Sequence, residues 1–303
     1  MTGAITRLDD LPAGLKGAPP KRLAVAAGHD PHTLEAAMRA ASEGIALVTL
    51  VADARRLAEM VKELGPLPAG VTVIDEPDPL AAARRAVALV REGRADVLMK
   101  GLVPTSDYMK CILDRDRGLL PPGRVLSHVT VLELPALPRL LFVADVAIIP
   151  QPDVAAKLQI LEYCLHAARS FGIVRPRAAL IAATEKVSPK MPATVEADEI
   201  RRLAADGRFG DAIIDGPLAL DVALSPEACR IKELDSPVGG LADILVFPNI
   251  EAGNVFYKAA TLLAGARVAA AVVGTTAPCV LTSRADDESS KLLSIALGCR
   301  LAG

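Results

Sequence analysis

Short apolar runs alternate with amphipathic segments along almost the whole chain, and this alternation restricts the fold more than any other feature. In the first part of the chain the predicted strands are residues 23–27, 46–51, 71–74 and 96–99. The predicted helices between them are residues 34–43, 52–64 and 79–92. Asp30 and Pro31 suit the start of the first helix, as an N-cap and a first-turn proline. This repetition predicts a parallel α/β fold with right-handed crossovers.

A proline-rich break interrupts the pattern at residues 121–123. Two apolar runs follow, residues 125–134 and 140–149, with prolines but no helix between them. We expect an antiparallel hairpin at a domain junction, because proline punctuates sheets at edges and turns. The α/β pattern then resumes with helix 154–171, strand 178–183, helix 195–205 and strand 211–215.

Composition is consistent with this fold and excludes some partners. The chain has 303 residues, of which 51% are hydrophobic and only 3% aromatic, with no Trp. That length suffices for one large or two medium domains, and aliphatic residues suit buried parallel strands. A net charge of −2 supplies no basic field. We therefore expect no nucleic-acid partner and no membrane partner.

The cysteines and the N-terminus indicate a cytoplasmic protein. Five scattered cysteines without CxxC spacing favour reduced thiols. Cys279, close to a predicted strand end, is either a nucleophile or a packed core residue, and the absence of a nearby His favours packing. The chain shows no secretory leader, and its apolar runs are too short to cross a membrane. Residues 1–20, rich in Pro and Gly, are expected to form a flexible arm.

Polar residues collect at strand ends in the last third of the chain. Strand 244–247 ends at Pro248 and Asn249, and Gly253–Asn254 indicates a turn that opens a helix. After strand 268–273, a further short strand is expected to end in residues 282–284, followed by an acidic helix start. Ligands of open parallel sheets bind beyond the carboxyl ends of the strands, where helix N-termini converge. The pattern predicts a site for an anionic ligand.

Seven ordered motifs carry a resemblance to a known family. They are residues 99–113 (MKGLVPTSDYMKCIL), 124–135 (RVLSHVTVLELP), 140–149 (LLFVADVAII), 188–198 (SPKMPATVEAD), 213–228 (IIDGPLALDVALSPEA), 242–254 (ADILVFPNIEAGN) and 281–296 (LTSRADDESSKLLSIA). With these motifs, from about residue 22 onward, the chain resembles the phosphate acetyltransferase/phosphate butyryltransferase family.

The resemblance implies a two-domain, parallel-sheet α/β architecture like that of the isocitrate and isopropylmalate dehydrogenases, with the active site in the interdomain cleft. Residues 21–124 and 280–303 would form the first domain and residues 125–279 the second. A homodimer is implied as well.

The same resemblance implies a phosphate acyltransferase that moves a short acyl group reversibly between coenzyme A and inorganic phosphate. The partners are then acyl-CoA, phosphate and acyl phosphate, with CoA as a substrate and no tightly bound cofactor. We expect direct thiol attack on the acyl phosphate, because no Cys or Ser has a visible activating base. Neither a metal-ligand cluster nor a GxGxxG dinucleotide fingerprint is present in the sequence.

Ser283 and Arg284 match the active-site motif of the family. The resemblance implies that Arg284 binds the phosphoryl group and that Ser283 donates a hydrogen bond to the developing oxyanion. The alternative for Arg284 is a surface ion pair with Asp286 or Asp287.

The general base is open. Acetyl-transferring relatives place an aspartate where this chain has Ser290. Asp286, Asp287 and Glu288 are nearby acids that would substitute, and we place Asp287 and Glu288 among the catalytic candidates. Acids at a helix start equally serve to complement its positive end.

Five further residues are candidates for binding phosphate or CoA; they are Arg124, Ser127, Ser106, Lys190 and Asn254. Each has a structural alternative, such as a solvated cation for Arg124 or a helix cap for Asn254. Lys100 belongs to the same motif as Ser106 and is considered with it. Asp145 either faces the site or holds the domain junction. His128 is expected to be a hydrogen-bonded core residue.

The preferred acyl group can be inferred only weakly, and two other functions are alternatives to acyl transfer. Leu262 stands near a position where acetyltransferases often carry an arginine, and with Ser290 it slightly favours butyryl over acetyl transfer. One rival is a dehydrogenase or decarboxylase of the same fold, for which metal-binding aspartates are missing. The other is a catalytically degenerate protein that binds CoA or acyl phosphate, which only Ser290 supports.

Overall fold

The protein is represented by a computed structural model, and the structure describes residues 4–282 and 286–303. Ser283 and Arg284 lie outside the described residues. Within them the helices are α1 (Asp10–Ala13), α2 (Pro31–Ser42), α3 (Ala54–Leu64), α4 (Pro79–Arg91), α5 (Thr105–Leu113), α6 (Val154–Ser170), α7 (Pro192–Ala204), α8 (Leu220–Leu224), α9 (Pro226–Ile231), α10 (Ile250–Leu262) and α11 (Glu288–Leu301). The strands are β1 (Lys21–Ala26), β2 (Ala46–Ala52), β3 (Val71–Asp75), β4 (Val97–Lys100), β5 (Ser127–Glu133), β6 (Leu141–Ala144), β7 (Arg177–Ile181), β8 (Ile213–Leu218), β9 (Ile244–Val246), β10 (Arg267–Val273) and β11 (Cys279–Val280).

The chain divides into two compact units. The first unit comprises residues 8–126 and 268–303, and the second comprises residues 127–267 with the segment up to Arg7. The chain thus leaves the first unit after Leu126 and returns to it with β10. The sequence resemblance implied such a return, but placed it at residue 280.

The first unit is built on strands in the order β3-β2-β1-β4-β11-β10. All neighbours are parallel except β10 and β11, which pair antiparallel through Val272 and Cys279. The predicted start of α2 is confirmed, since Asp30 accepts a hydrogen bond from the Thr33 amide and Pro31 is the first helical residue. Leu23 and Val25 of β1 are fully buried, as expected for a central parallel strand.

The second unit has strands in the order β5-β6-β9-β7-β8. The predicted hairpin is confirmed, because β5 and β6 pair antiparallel with Thr130 opposite Val143. The other neighbours are parallel. Helix α6 is buried along most of its length, and the rings of Phe142 and Phe171 meet edge to face at 5.1 Å. The carboxyl ends of β6, β7 and β9 therefore share one edge, which is where a site is expected.

Two local expectations differ from the structure. The first concerns residues 4–20, expected to be a flexible arm. They include α1, bury Leu8 and Leu11 completely, and donate the Ile5 amide to the Phe171 carbonyl at 2.8 Å. Two leucines three residues apart bury one apolar face, which outweighs the Pro- and Gly-rich composition around them.

The second concerns the expected turn at Gly253–Asn254, which is wrong. Both residues lie inside α10, whose N-cap is Asn249, with its Oδ1 accepting from the Ala252 amide at 3.0 Å. Gly253 is required there by close packing, since a Cβ at this position would lie 2.2 Å from the Asp145 carbonyl oxygen.

Candidate functional site

In the first unit, predicted residues cluster beyond β4. Lys100, the last residue of β4, is 4% exposed, and its ammonium donates to the carbonyls of Gly101 and Val103 at 3.1 and 3.3 Å. Ser106 is exposed in the first turn of α5. The first-turn amides of a nine-residue helix and an exposed hydroxyl suit an anion. Lys100 instead holds the turn that leads into α5.

Strand β11 ends at the same edge of the sheet as β4. It pairs parallel with β4, Val280 opposite Met99, so the chain leaves β11 where β4 ends. Thr282 is buried, and its Oγ1 accepts from the buried Lys291 ammonium at 3.4 Å. Sequence reasoning missed Lys291; its only signal is a lysine within the apolar run of α11.

Both acidic candidates for the general base have structural contacts. Asp287 is the N-cap of α11, and its Oδ1 accepts from the Ser290 amide at 2.8 Å. Glu288 forms a 3.2 Å ion pair with Arg39, which also contacts Glu43 at 2.7 Å. The base role of these two acids stays a prediction.

In the second unit, the predicted residues gather around one buried carboxylate. Asp145 follows β6, is 2% exposed, and accepts four hydrogen bonds. Its Oδ2 accepts from the Ser127 hydroxyl at 3.0 Å and the His128 amide at 3.2 Å. Its Oδ1 accepts from the amides of Ala147 and Ile148 at 2.7 and 2.8 Å. Asp145 therefore ties the start of β5 to the segment after β6.

This arrangement changes what Ser127 offers to a ligand. Ser127 is fully buried, and its single hydroxyl proton is donated to Asp145. The oxygen is left as an acceptor only. The structure thus gives Ser127 an organising contact, and its role in binding phosphate or CoA stays a prediction.

Asn254 lies on α10 against the same segment. Its Nδ2 donates to the Val146 carbonyl at 2.9 Å, one residue beyond Asp145. Gly253 lets α10 approach the Asp145 carbonyl closely enough for this bond. The amide is therefore an anchor rather than the helix cap that the sequence also allowed.

Arg124 and Lys190 are both exposed. Arg124 donates its amide to the Pro121 carbonyl, at the end of the first unit's N-terminal segment. Lys190 lies before α7 in a loop fixed by Thr194, whose Oγ1 donates to the Met191 carbonyl at 2.8 Å and accepts from the Ser188 amide at 2.9 Å. The loop therefore presents the Lys190 ammonium to solvent from an ordered backbone.

His128 and the cysteines behave as core residues. His128 is 7% exposed and its Nδ1 lies 3.0 Å from the Thr130 hydroxyl, which confirms the prediction. All five cysteines are free and buried. Burial raises the pKa of the Cys279 thiol to about 12, so it is protonated at neutral pH and is unsuited to be a nucleophile.

No group of His, Cys, Asp and Glu among the described residues is arranged to hold a metal ion. No helix formed by the described residues is both long and apolar enough to cross a membrane.

The chain matches one family over most of its length. The family model described as "Phosphate acetyl/butaryl transferase" matches residues 78–299. The chain is 40% identical over 283 residues to the phosphate butyryltransferase of Clostridium acetobutylicum, covering 93% of this chain and 94% of that protein. It is 41% identical over 277 residues to the phosphate acetyltransferase of Thermotoga maritima, covering 91% and 94%.

Two solved structures are also similar to the chain. A branched-chain phosphotransacylase from Enterococcus faecalis V583 superposes with a TM-score of 0.80 at 33% identity, covering 93% of this chain and 99% of that one. The 4-hydroxythreonine-4-phosphate dehydrogenase of Klebsiella pneumoniae gives a TM-score of 0.53 at 15% identity, covering 94% and 100%. The second likeness concerns the fold alone, and it agrees with the expected dehydrogenase-like architecture.

Proposed function

Because the chain belongs to the phosphate acetyl- and butyryltransferase family, we propose that it transfers a short-chain acyl group reversibly between coenzyme A and inorganic phosphate. The observation that carries this proposal is the 40% identity to a phosphate butyryltransferase, which extends over 93% of the chain. Acyl-CoA, phosphate and acyl phosphate are then its substrates, and CoA acts as a substrate rather than a bound cofactor.

The acyl group passes directly from one substrate to the other. The CoA thiol attacks the carbonyl carbon of the acyl phosphate, the thiol proton leaves to a base, and the C–O bond to phosphate breaks. The buried, protonated Cys279 supports direct transfer, because a covalent acyl-enzyme would need an accessible thiolate. In the reverse direction, phosphate attacks the thioester and CoA departs.

Five residues have roles in this step. Arg284 neutralises the departing phosphate with a planar, permanently charged guanidinium, and Ser283 donates to the oxyanion. Lys190 adds a second, exposed cation for the phosphate. Arg124 and Ser106, both exposed, are the remaining contacts for phosphate or CoA.

The general base is Asp287 or Glu288. Asp287 is the N-cap of α11 and Glu288 is its first residue, four and five residues after Ser283. Ser290 stands where the resemblance places an aspartate in acetyl-transferring relatives. For either acid to accept the thiol proton, it has to leave its cap or ion pair when substrate binds. A base of this kind accelerates such reactions by about 10²–10⁴-fold.

We propose butyryl or another short branched or linear acyl group ahead of acetyl. Leu262 is 77% exposed on α10, at a place where the resemblance puts an arginine in acetyltransferases. Relatives of both names are about equally similar, at 40% and 41% identity, so the overall identity does not separate the two substrates.

We also propose a cytoplasmic homodimer. Five free cysteines support a reducing compartment. Helix α10 supports a second copy as partner, because it buries only Gly253 and Ala260, while its Val255 and Leu262 and the C-cap Leu263 are 68%, 77% and 85% exposed. An apolar helix with so little burial is typical of a surface that another chain covers.

The test is release of CoA thiol from acetyl-, propionyl- and butyryl-CoA, with and without phosphate. We expect phosphate-dependent release that is fastest with butyryl-CoA and falls by at least 10²-fold in Arg284→Ala, as for other lost electrostatic contacts. Arg115→Ala, which changes an arginine with no assigned role, is the matched control. CoA binding without turnover of any acyl-CoA would instead support the catalytically degenerate protein that Ser290 allows.

A further inference from the structure

The orientation of the Asn254 amide is fixed by its partner. Asparagine carries a donor nitrogen and an acceptor oxygen, which are difficult to tell apart by shape. Here the partner, 2.9 Å away, is the Val146 carbonyl, which can only accept. The nitrogen must therefore face Val146, and the oxygen Oδ1 must point away from it. No described residue donates a hydrogen bond to Oδ1.

The carbonyl that fixes this amide is itself held in place. Val146 lies between Asp145 and Ala147, and the Asp145 carboxylate accepts from the amides of Ala147 and Ile148. A backbone segment closed in this way cannot rotate its carbonyl without breaking two short charge-assisted hydrogen bonds. Gly253 adds a steric constraint, because it brings α10 against the Asp145 carbonyl oxygen. The direction of Oδ1 is thus set before any ligand binds.

The position of Asn254 is one where a ligand is expected. The Asp145–Val146 segment follows the carboxyl end of β6, and α10 follows the carboxyl end of β9, its parallel neighbour. Side chains at such ends face the usual ligand site of an α/β sheet. Asn254 is half-buried there. A half-buried acceptor with a fixed direction selects for a ligand that brings a hydrogen-bond donor.

The two substrates differ in the groups that they can bring. Phosphate and acyl phosphate present mainly negatively charged oxygens, which the negative end of an amide dipole repels, although inorganic phosphate keeps a P–OH donor near neutral pH. The pantetheine arm of CoA carries two amide N–H groups and, in the free coenzyme, a thiol S–H. The neutral N–H donors of the CoA arm therefore match an acceptor at this place better than an anion does.

We propose that Asn254 is a specificity-determining contact for CoA, whose Oδ1 accepts a hydrogen bond from an N–H of the pantetheine arm, with Asp145 as its positioning residue. This inference rests on the proposed function for its choice of substrate. It assigns Asn254 to the thioester side and removes it from the phosphate side. Ser127 then acts through Asp145, which it helps to hold.

Calorimetric titration with CoA alone, and separately with inorganic phosphate, tests the assignment without requiring turnover. In Asn254→Ala we expect the dissociation constant for CoA to rise about fivefold to tenfold, the loss of one hydrogen bond to a neutral partner. The constant for phosphate should change less than twofold. Gly253→Ala leaves the amide intact but forces α10 from Asp145, so it should weaken CoA binding selectively as well.

Thr261→Ala is the matched control, because Thr261 is a polar residue of the same helix whose hydroxyl donates to the Tyr257 carbonyl at 3.0 Å. It should leave the ratio of the two dissociation constants unchanged. Equal weakening of CoA and phosphate in Asn254→Ala, weakening of phosphate alone, or no change in either would overturn the proposal. So would a wild-type protein that fails to bind CoA.

Turnover is measured in parallel. A wild-type protein that binds CoA but transfers no acyl group contradicts the proposed function, and the binding ratios still decide the role of Asn254. In an active enzyme, Asn254→Ala should raise KM for acyl-CoA with KM for phosphate unchanged.

Discussion

Asp145 should stabilise the second unit more than any surface carboxylate, and Asp145→Asn measures by how much. The variant keeps the size and shape of the side chain. Its amide oxygen can replace one carboxylate oxygen, but its NH₂ group then faces two donors that have lost their acceptor. The donors at risk are the Ser127 hydroxyl with the His128 amide, or the Ala147 and Ile148 amides.

Each buried donor left without an acceptor costs about 1–3 kcal/mol, so two cost about 2–6 kcal/mol. Removing a buried charge recovers part of this, because the neutral amide no longer pays a full ionic desolvation penalty. We therefore expect the free energy of unfolding to fall by about 3 kcal/mol, towards the lower half of the range.

Urea unfolding followed by far-UV circular dichroism gives this quantity, since the chain has no Trp to report by fluorescence. Asp153→Asn is the control: Asp153 caps α6 through the Ala156 amide at 2.7 Å, and Asn caps a helix about as well. A loss below about 0.5 kcal/mol is expected there. If Asp145→Asn costs less than about 1 kcal/mol, the four hydrogen bonds do not organise the segment and the reasoning fails.

Three further predictions concern other parts of the chain. Leu8→Ala should lower the free energy of unfolding by about 2–5 kcal/mol, because Leu8 is fully buried. A loss below about 0.5 kcal/mol would instead support the prediction that this segment is a flexible arm. A thiol reagent at pH 8 should label the native protein far more slowly than the urea-unfolded protein, since all five cysteines are buried; rapid native labelling with loss of activity would contradict the assignment of Cys279 to the core. Burial lowers the pKa of His29, so the folded state resists its protonation; stability should fall as the pH drops below about 6.5, the unfolded value, and His29→Gln should flatten that fall in chemical unfolding measured from pH 7.5 to 5. An unchanged slope in His29→Gln would assign the pH dependence to other groups.

The regular part of the fold follows from the sequence because its signals are local. In α2 and α4, an aspartate N-cap and a first-turn proline lie next to the residues they organise. Strands such as β2 bury apolar residues that stand side by side in the sequence. Local patterns of this kind do not depend on which distant segment packs against them.

The misread positions depend on distant partners. Gly253 and Asn254 have the composition of a turn, yet the glycine is needed because Asp145, more than a hundred residues earlier, lies against it. Leu8 and Leu11 are buried in the structure, but two leucines are too few to predict a helix from sequence among so many prolines and glycines. Their burial becomes visible only when the packing is known.

The sequence indicates candidate residues but not the contacts between them. Sequence motifs made Ser127 and Asn254 candidates, but did not indicate that both bind the segment organised by Asp145. No periodicity or spacing relates a buried carboxylate to donors on other strands and loops. The sequence did not indicate Lys291 either, because its contact with Thr282 joins a helix to a strand end and has no local pattern.

The central claim is direct transfer of an acyl group between CoA and phosphate, and initial-rate kinetics test it most directly. Butyryl-CoA and phosphate are varied together, and CoA release is followed through its thiol. A ternary complex predicts double-reciprocal lines that intersect, with no CoA released in the absence of phosphate. Parallel lines, together with a stoichiometric burst of CoA before phosphate is added, would establish an acyl-enzyme and contradict the account.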